Sequence, residues 1–195
     1  GSISQTGGIV TSDYLVMSAA TGIGSLSVPV QASVNYLTAT STGGVIAVDN
    51  SQALVVNLAT NPGNPVQITA DGILTIANNI TGSDVTLGST SANITQTGGV
   101  VTSTNIATLD AVTGITLTSA ELNKVDASVS GTGDISIVEA TDIEMTDVDT
   151  VNGDITVTTT NGTITVVDVN AGGTDGDVIL TANGATKDII ITGAG

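Results

Sequence analysis

Glycine marks this chain at nearly regular intervals: Gly22, Gly43, Gly63, Gly82 and Gly98, then Gly114, Gly133, Gly153, Gly173 and Gly193, with most steps of 19 to 21 residues and two of 16. After several markers comes an acid and an alternating apolar pair, as in Asp134-Ile135-Ser136-Ile137, Asp154-Ile155-Thr156-Val157 and Asp177-Val178-Ile179-Leu180. Period-two alternation describes a strand with one buried face. A unit of about twenty residues cannot close a core alone, whereas stacked units bury a continuous one. Each coil of such a stack needs two or three tight corners, and Gly, Asn and Asp are the residues that turn them. The beat predicts an all-β, single-stranded parallel β-helix (a β-solenoid) of about ten coils of about 20 residues each.

A longer period lies over the short one. Ile3-Ser4-Gln5-Thr6-Gly7-Gly8-Ile9-Val10-Thr11-Ser12 returns as Ile94-Thr95-Gln96-Thr97-Gly98-Gly99-Val100-Val101-Thr102-Ser103, an offset of 91. With small gaps, Thr42-Gly43-Gly44-Val45 matches Thr132-Gly133-Asp134-Ile135, and Asp71-Gly72-Ile73-Leu74-Thr75-Ile76 matches Asn161-Gly162-Thr163-Ile164-Thr165-Val166. The chain divides into a first solenoid repeat at 1–93, a second at 94–188 and the start of a third copy at 189–195. The competing architecture is a tandem pair of immunoglobulin-like β-sandwiches. Asp71-Gly72 and Asn161-Gly162 between alternating apolar residues are hairpin signals, and 91 residues is the size of such a domain. The short beat crosses the copy boundary unbroken, for which a sandwich has no reason. One helical turn on a corner is expected at Thr118-Ser119-Ala120-Glu121-Leu122-Asn123-Lys124, whose Thr-x-x-Glu start reads as a capping box.

Composition agrees with a thin interior. Hydrophobic residues are 40% of the 195, yet Phe and Trp are absent and Tyr14 and Tyr36 are the only aromatics. The apolar set is Ile, Val, Leu and Ala, joined by abundant Thr, which suits a pleated surface. Aliphatic ladders through Ile135, Ile155, Val178 and Ile189 with their i+2 partners are the expected filling. The formal charge is −16, with Lys124 and Lys187 the only bases, so a cationic footprint for nucleic acid is excluded. With no His, Cys or Arg, catalysis by His or Cys, thiolate zinc sites and Arg phosphate clamps are excluded too. No apolar run approaches the 18 or so residues needed to span a bilayer, so membrane insertion is not expected. Gly1 in place of an initiator Met suggests a processed or excised piece of a longer array.

The stretch Gly22-Ile23-Gly24-Ser25, Val28-Pro29-Val30-Gln31, Val34-Asn35-Tyr36-Leu37-Thr38-Ala39-Thr40, Gly43-Gly44-Val45 and Asp49-Asn50-Ser51-Gln52-Ala53-Leu54 resembles the repeat of large bacterial exoproteins of the filamentous-haemagglutinin type. Gly153-Asp154-Ile155-Thr156-Val157 and Gly176-Asp177-Val178-Ile179-Leu180-Thr181 are similar to that family's shorter coil repeats. The resemblance implies a right-handed parallel β-helix and a secreted rod that displays an adhesive or matrix-forming surface. Leu117 to Lys124 is also similar to a short repeat of phage tail-fibre proteins, which would imply a parallel trimer.

The acids are the first site candidates, fifteen Asp against three Glu. Asp84, Asp134, Asp154 and Asp177 follow glycine markers, so coils about 4.8 Å apart would align some of them in a column. Corner Asp bonding backbone is one reading; calcium bridging through Asp134, Asp154, Asp175 and Asp177 is the other. For the second, Gly172-Gly173-Thr174-Asp175-Gly176-Asp177 is a loose echo of a calcium-binding nonapeptide repeat. The pairs Asp147/Asp149 and Asp175/Asp177 have glycosidase-like spacing but neither an aromatic platform nor a cation beside them, so no catalytic site and no enzyme is expected. Thr75, Thr86, Thr116, Thr156 and Thr165 are expected to face outward, as solvent-facing strand residues or as a hydroxyl ladder able to order ice. The two Tyr cover an apolar surface or anchor a carbohydrate.

The sequence therefore predicts a non-enzymatic stalk or filament segment of a large secreted bacterial surface protein, in adhesion or extracellular matrix. The alternatives are a subunit of a self-assembling extracellular fibre and a trimeric phage tail-fibre segment. Its expected partners are neighbouring repeats of the same chain or end-to-end identical chains, and a host or carbohydrate receptor.

Overall fold

The computed structural model describes residues 1–193. Its strands are β1 (Val10–Ala19), β2 (Val30–Ser41), β3 (Ile46–Asn50), β4 (Leu54–Thr60), β5 (Val66–Ala70), β6 (Leu74–Ile76), β7 (Ile80–Gly82), β8 (Val85–Ser89) and β9 (Ile94–Gln96). They continue as β10 (Val101–Ala111), β11 (Ile115–Thr132), β12 (Ile135–Glu139), β13 (Ile143–Asn152), β14 (Ile155–Thr159), β15 (Ile164–Val166), β16 (Val169–Ala171), β17 (Val178–Ala182) and β18 (Ile189–Ile191). All eighteen belong to one sheet. Paired strands run parallel and the sheet winds on itself as a β-solenoid of about nine turns, one fewer than the glycine beat suggested.

Each coil has three faces. The first carries β3, β5, β8 and residues 107–110 of β10, in which Ile46, Val66, Val85 and Ala107 stand in register. The second carries β6, β9, residues 115–117 of β11, β12, β14 and β17, with Leu74, Ile94, Ile115, Ile135, Ile155 and Val178 in one column. The third carries β7 and residues 101–103 of β10, followed by Ala120 of β11. β1 and β2 are long enough to bend across faces before these short strands begin.

Alternation sets what lies inside. In β5, Val66, Ile68 and Ala70 are buried while Gln67 and Thr69 point outward, and β14 repeats the pattern with Ile155, Val157 and Thr159 against Thr156 and Thr158. Parallel pairing in register stacks each inward aliphatic on its counterpart in the next coil, so the interior is a bundle of Ile, Val and Leu columns. No aromatic ring is buried among the described residues. Ile135 and Ile155 fill the interior as expected. Val178 and Ile189 occupy the same inward positions in the last coil, where 45% and 44% of their surface stays exposed. Pairing continues without interruption across 93 and 94, where β9 joins both β6 and β11. β18 opens at Ile189, where the sequence places the start of a third copy, and residues 194 and 195 of that stretch lie outside the described ones.

Two local expectations are corrected. Asp71-Gly72 turns no hairpin: β5 and β6 pair with strands one coil away rather than with each other, and the tandem-sandwich alternative falls with it. Gly72 serves as a corner at φ 122° instead. The antiparallel contact among the described residues is the isolated Ser25–Val28 bridge, which closes a small loop. Thr118–Lys124 is not a helical turn but part of the eighteen-residue strand β11. The backbone amides of Thr118 and Ser119 donate to Oε1 of Gln96 at 2.8 and 3.0 Å, so the preceding coil supplies the acceptor that a capping box would have provided.

Corner glycines differ in what they require. Gly44 has φ 68°, and a Cβ there would run into the carbonyl of Thr21 one coil below. Gly63 has φ 76° with nothing within 4 Å of the same position. Ala at either site pays the left-handed penalty of about 1–2 kcal/mol, and only at Gly44 does a backbone collision add to it. Thermal unfolding of Gly44→Ala and Gly63→Ala is expected to show the larger loss for Gly44→Ala. Equal losses would mean that the close approach of these two corners does not shape the coil.

Candidate functional site

Three of the four aspartates after glycine markers form a column, while Asp84 precedes β8 on the first face and lies outside it. Asp134, Asp154 and Asp177 each precede a strand of the second face, and the strands stack in register. Oδ1 of Asp134 accepts the backbone amide of Asp154 at 2.9 Å, and Oδ1 of Asp154 accepts that of Asp177 at 2.9 Å. Each carboxylate thus ties its corner to the next coil's backbone. A carboxylate at an amide makes a charge-assisted bond, which offsets the repulsion of stacked like charges. Asp175 stands apart, exposed in the 172–177 connection between β16 and β17. Among the described residues no three acids converge as a metal cage.

A second acidic strip runs along the first face; the sequence pointed to its members Asp147 and Asp149 as a pair, but not to Asp110 and Asp126 beside them. Asp126 lies opposite Asp147 in the β11–β13 ladder, while Asp110 pairs with Ser128 and Ser128 with Asp149. Desolvation first, then Asp147, Asp110 and Asp149, raises the pKa of Asp126 above its ordinary value. Asp149 moves the same way through desolvation and then Asp147, Asp110 and Asp168. Like charges directly opposite on a sheet are mildly destabilising. The two lysines pair with other acids: Lys124, two residues before Asp126 on β11, reaches Glu144 at 2.8 Å and Lys187 reaches Asp142 at 2.9 Å. Asp142 is held below the usual carboxylate range by the donating amide of Thr163 and then by Lys187.

The most unusual acid is inside. Glu139 is fully buried, the only charged side chain so placed among the described residues. It ends β12, and alternation from Ile135 and Ile137 puts it on the inward side, between Ala120 and Thr159 in the stack. Its carboxylate accepts the amides of Leu122 at 2.9 Å and Thr141 at 3.1 Å and the Thr141 hydroxyl at 3.0 Å. Equivalent strand ends use neutral groups for the same task. Asn50 accepts the Val34 amide and donates to the carbonyls of Val34 and Gln52, and Ser89 donates to Gly72 O and accepts the Ala92 amide. Burial pushes the Glu139 carboxyl up from 4.5 to about 7, opposed by those backbone donors.

On the outside, Tyr14 and Tyr36 pair across β1 and β2 and their rings stack with centroids 4.5 Å apart and planes 11° from parallel. Tyr14 is 61% exposed, so it does not cover the core. Beside Tyr36, a recess is lined by Asn35, Ala53, Val55, Ile73 and Thr75. A polar ladder flanks it: Asn35 donates to Asp13 at 2.7 Å and Gln52 donates to Asn35 at 3.0 Å. The expected threonines all face outward. Thr75, Thr116 and Thr156 share a column with Thr95 and Ser136, whereas Thr86 and Thr165 lie on other faces. Asp147 and Asp149, two apart in β13, have no aromatic platform beside them among the described residues, since both rings lie in β1 and β2.

Comparison of the chain with family models, with curated proteins and with solved structures found no match.

Two outcomes are expected. The folded chain holds the Glu139 proton more tightly than the unfolded chain, so the contribution of this group to stability is fully present below about pH 4.5, falls as pH rises to about 7 and then levels, while Asp142, held low, contributes in the opposite sense at acidic pH. Glu139 accounts for at most about 3 kcal/mol of that fall; Asp126 and Asp149 act in the same sense. Thermal melts across this window should show the decline, and Glu139→Gln should flatten most of it; an unchanged slope in the variant would exonerate Glu139. Because amides already hold Asp134 and Asp154, melting should be the same in calcium and in chelator. A rise with calcium would assign the column to a cation.

Proposed function

We propose that this chain is a non-catalytic stalk or filament segment of a large secreted bacterial surface protein, acting in adhesion or extracellular matrix. The observation that carries the reading is the unbroken parallel pairing from β1 to the last coil. Every coil is tied to its neighbours by backbone bonds along three faces, so tension along the axis is shared by many bonds at once. Nine turns at about 4.8 Å each give a body on the order of 40 Å long, which further repeats would extend. The dense negative charge keeps such rods apart in solution.

Within this reading the exposed Tyr14–Tyr36 stack and the Asn35–Gln52 ladder are the candidate contact for a carbohydrate or host receptor, a flat apolar platform beside amide donors and acceptors. The second reading is a self-assembling fibre built of the same coil stack. There the partner is an identical chain added end to end, where the first reading places the next repeat of the same chain. A trimeric phage tail fibre is the third.

Light scattering over a concentration series separates the three. A constant monomer mass is expected for the stalk, steady growth for the fibre and a fixed trimer for the tail fibre. Binding to an immobilised glycan panel is then expected to weaken at least tenfold in Tyr14→Ala with the melting temperature nearly unchanged. A chain that binds no glycan, or a variant that binds as before, would remove the adhesive contact from this surface.

A further inference from the structure

The two sequence copies do not lie one above the other. β5 to β9 are five, three, three, five and three residues long, and β14 to β18 repeat those lengths in the same order. The matched corners Asp71-Gly72 and Asn161-Gly162 follow β5 and β14, so these two strands are copies of one another. Yet β5 stacks on β3 and β8 in the first face, whereas β14 stacks on β12 and β17 in the second, in the column of Ile94 and Leu74. β8 lies in the first face and its copy β17 in the second. β7 lies in the third face, and its copy β16 follows Val148, Ala127 and Leu109 into the first. Each displacement is one face forward.

We infer that the repeat is a screw: one copy advances the solenoid by four whole turns and one face, about a third of a turn. The first-face column from Val66 passes through Val85, Ala107 and Val125 to Met145, four coils on, and the copied strand β14 then falls on the next face. Equivalent outward positions of successive copies therefore point about 120° apart, and three copies, or thirteen turns, restore the starting direction. The cross-section follows the same rule. The five-residue side lies on the first face in β3, β5 and β8 and on the second in β12, β14 and β17.

This geometry selects a kind of partner. Copies aligned on one face would suit a flat surface lying along the rod, with every repeat engaged. Copies turned by a third suit a partner that surrounds the rod, such as a polymer mesh, because only one copy in three faces any plane. The choice of partner rests on the displaying rod proposed above; the screw itself rests on strand pairing alone.

The chain has no cysteine, so introduced thiols can be labelled cleanly. Gln67 of β5 and Thr156 of β14 are matched, outward and partly exposed. Thr75 and Thr156 share one column four rungs apart, about 19 Å at strand spacing. Spin labels at Gln67→Cys/Thr156→Cys should be several ångströms farther apart than those at Thr75→Cys/Thr156→Cys, though the axial separations differ by only a third of a coil. Biotin attached at the same sites reads the display: monovalent streptavidin, far wider than this separation, should bind two per chain at the Gln67/Thr156 pair and one at the Thr75/Thr156 pair. Equal label distances and single occupancy at both pairs would overturn the screw, whatever the chain binds. Asp71→Cys/Asn161→Cys, on exposed matched corners, repeats the measurement should the strand variants fold poorly.

Discussion

Hydrogen bonding between successive coils is the constraint on which the molecule depends. Parallel pairing in register fixes the rise at one strand spacing and forces like positions to lie over like positions. A residue suitable for the interior in one coil is therefore judged beside its counterparts above and below. The column Leu74, Ile94, Ile115, Ile135, Ile155 is aliphatic and buried throughout. Large rings would demand a wider interior in every neighbouring coil, which accounts for their absence from it.

The corners bring the opposite demand. A strand that turns must leave some amides and carbonyls without ladder partners, and a buried unpaired group is costly. The last inward position of several strands answers this with Asn50, Ser89, Thr159 and Glu139, each bonding the backbone of the turn that follows or of the adjacent coil. Aspartates do the same from outside, between coils. The acidity of the chain thus has two distinct structural uses, one solvated and one buried.

The fold was legible because the glycine beat and the period-two alternation carry over directly into coils and faces. The aspartate column was legible for the same reason, through Asp134, Asp154 and Asp177. Other features depended on phase, which spacing alone does not contain. Asp71-Gly72 reads as a hairpin locally and becomes a corner because its flanking strands find better partners one coil away. Thr118–Lys124 reads as a capped helical turn until Gln96, more than twenty residues earlier, takes its amides. Glu139 carried a usable signal, since Ile135 and Ile137 set its inward parity, but acidity suggested solvent. The stacking of Tyr14 on Tyr36 required the coil length between them, and the acidic strip on the first face required registers that shift at irregularities within β11 and β13.

The stacked tyrosines have one more consequence. They are the only aromatic chromophores of the chain, and both sit in the first two strands. Near-ultraviolet dichroism and intrinsic fluorescence therefore see one end of the rod, while the amide signal averages over all of it. In a linear stack whose coils contact only their neighbours, melting need not be uniform along the axis. The two optical signals together form a built-in gauge of whether the rod frays from its amino-terminal end or comes apart as one unit.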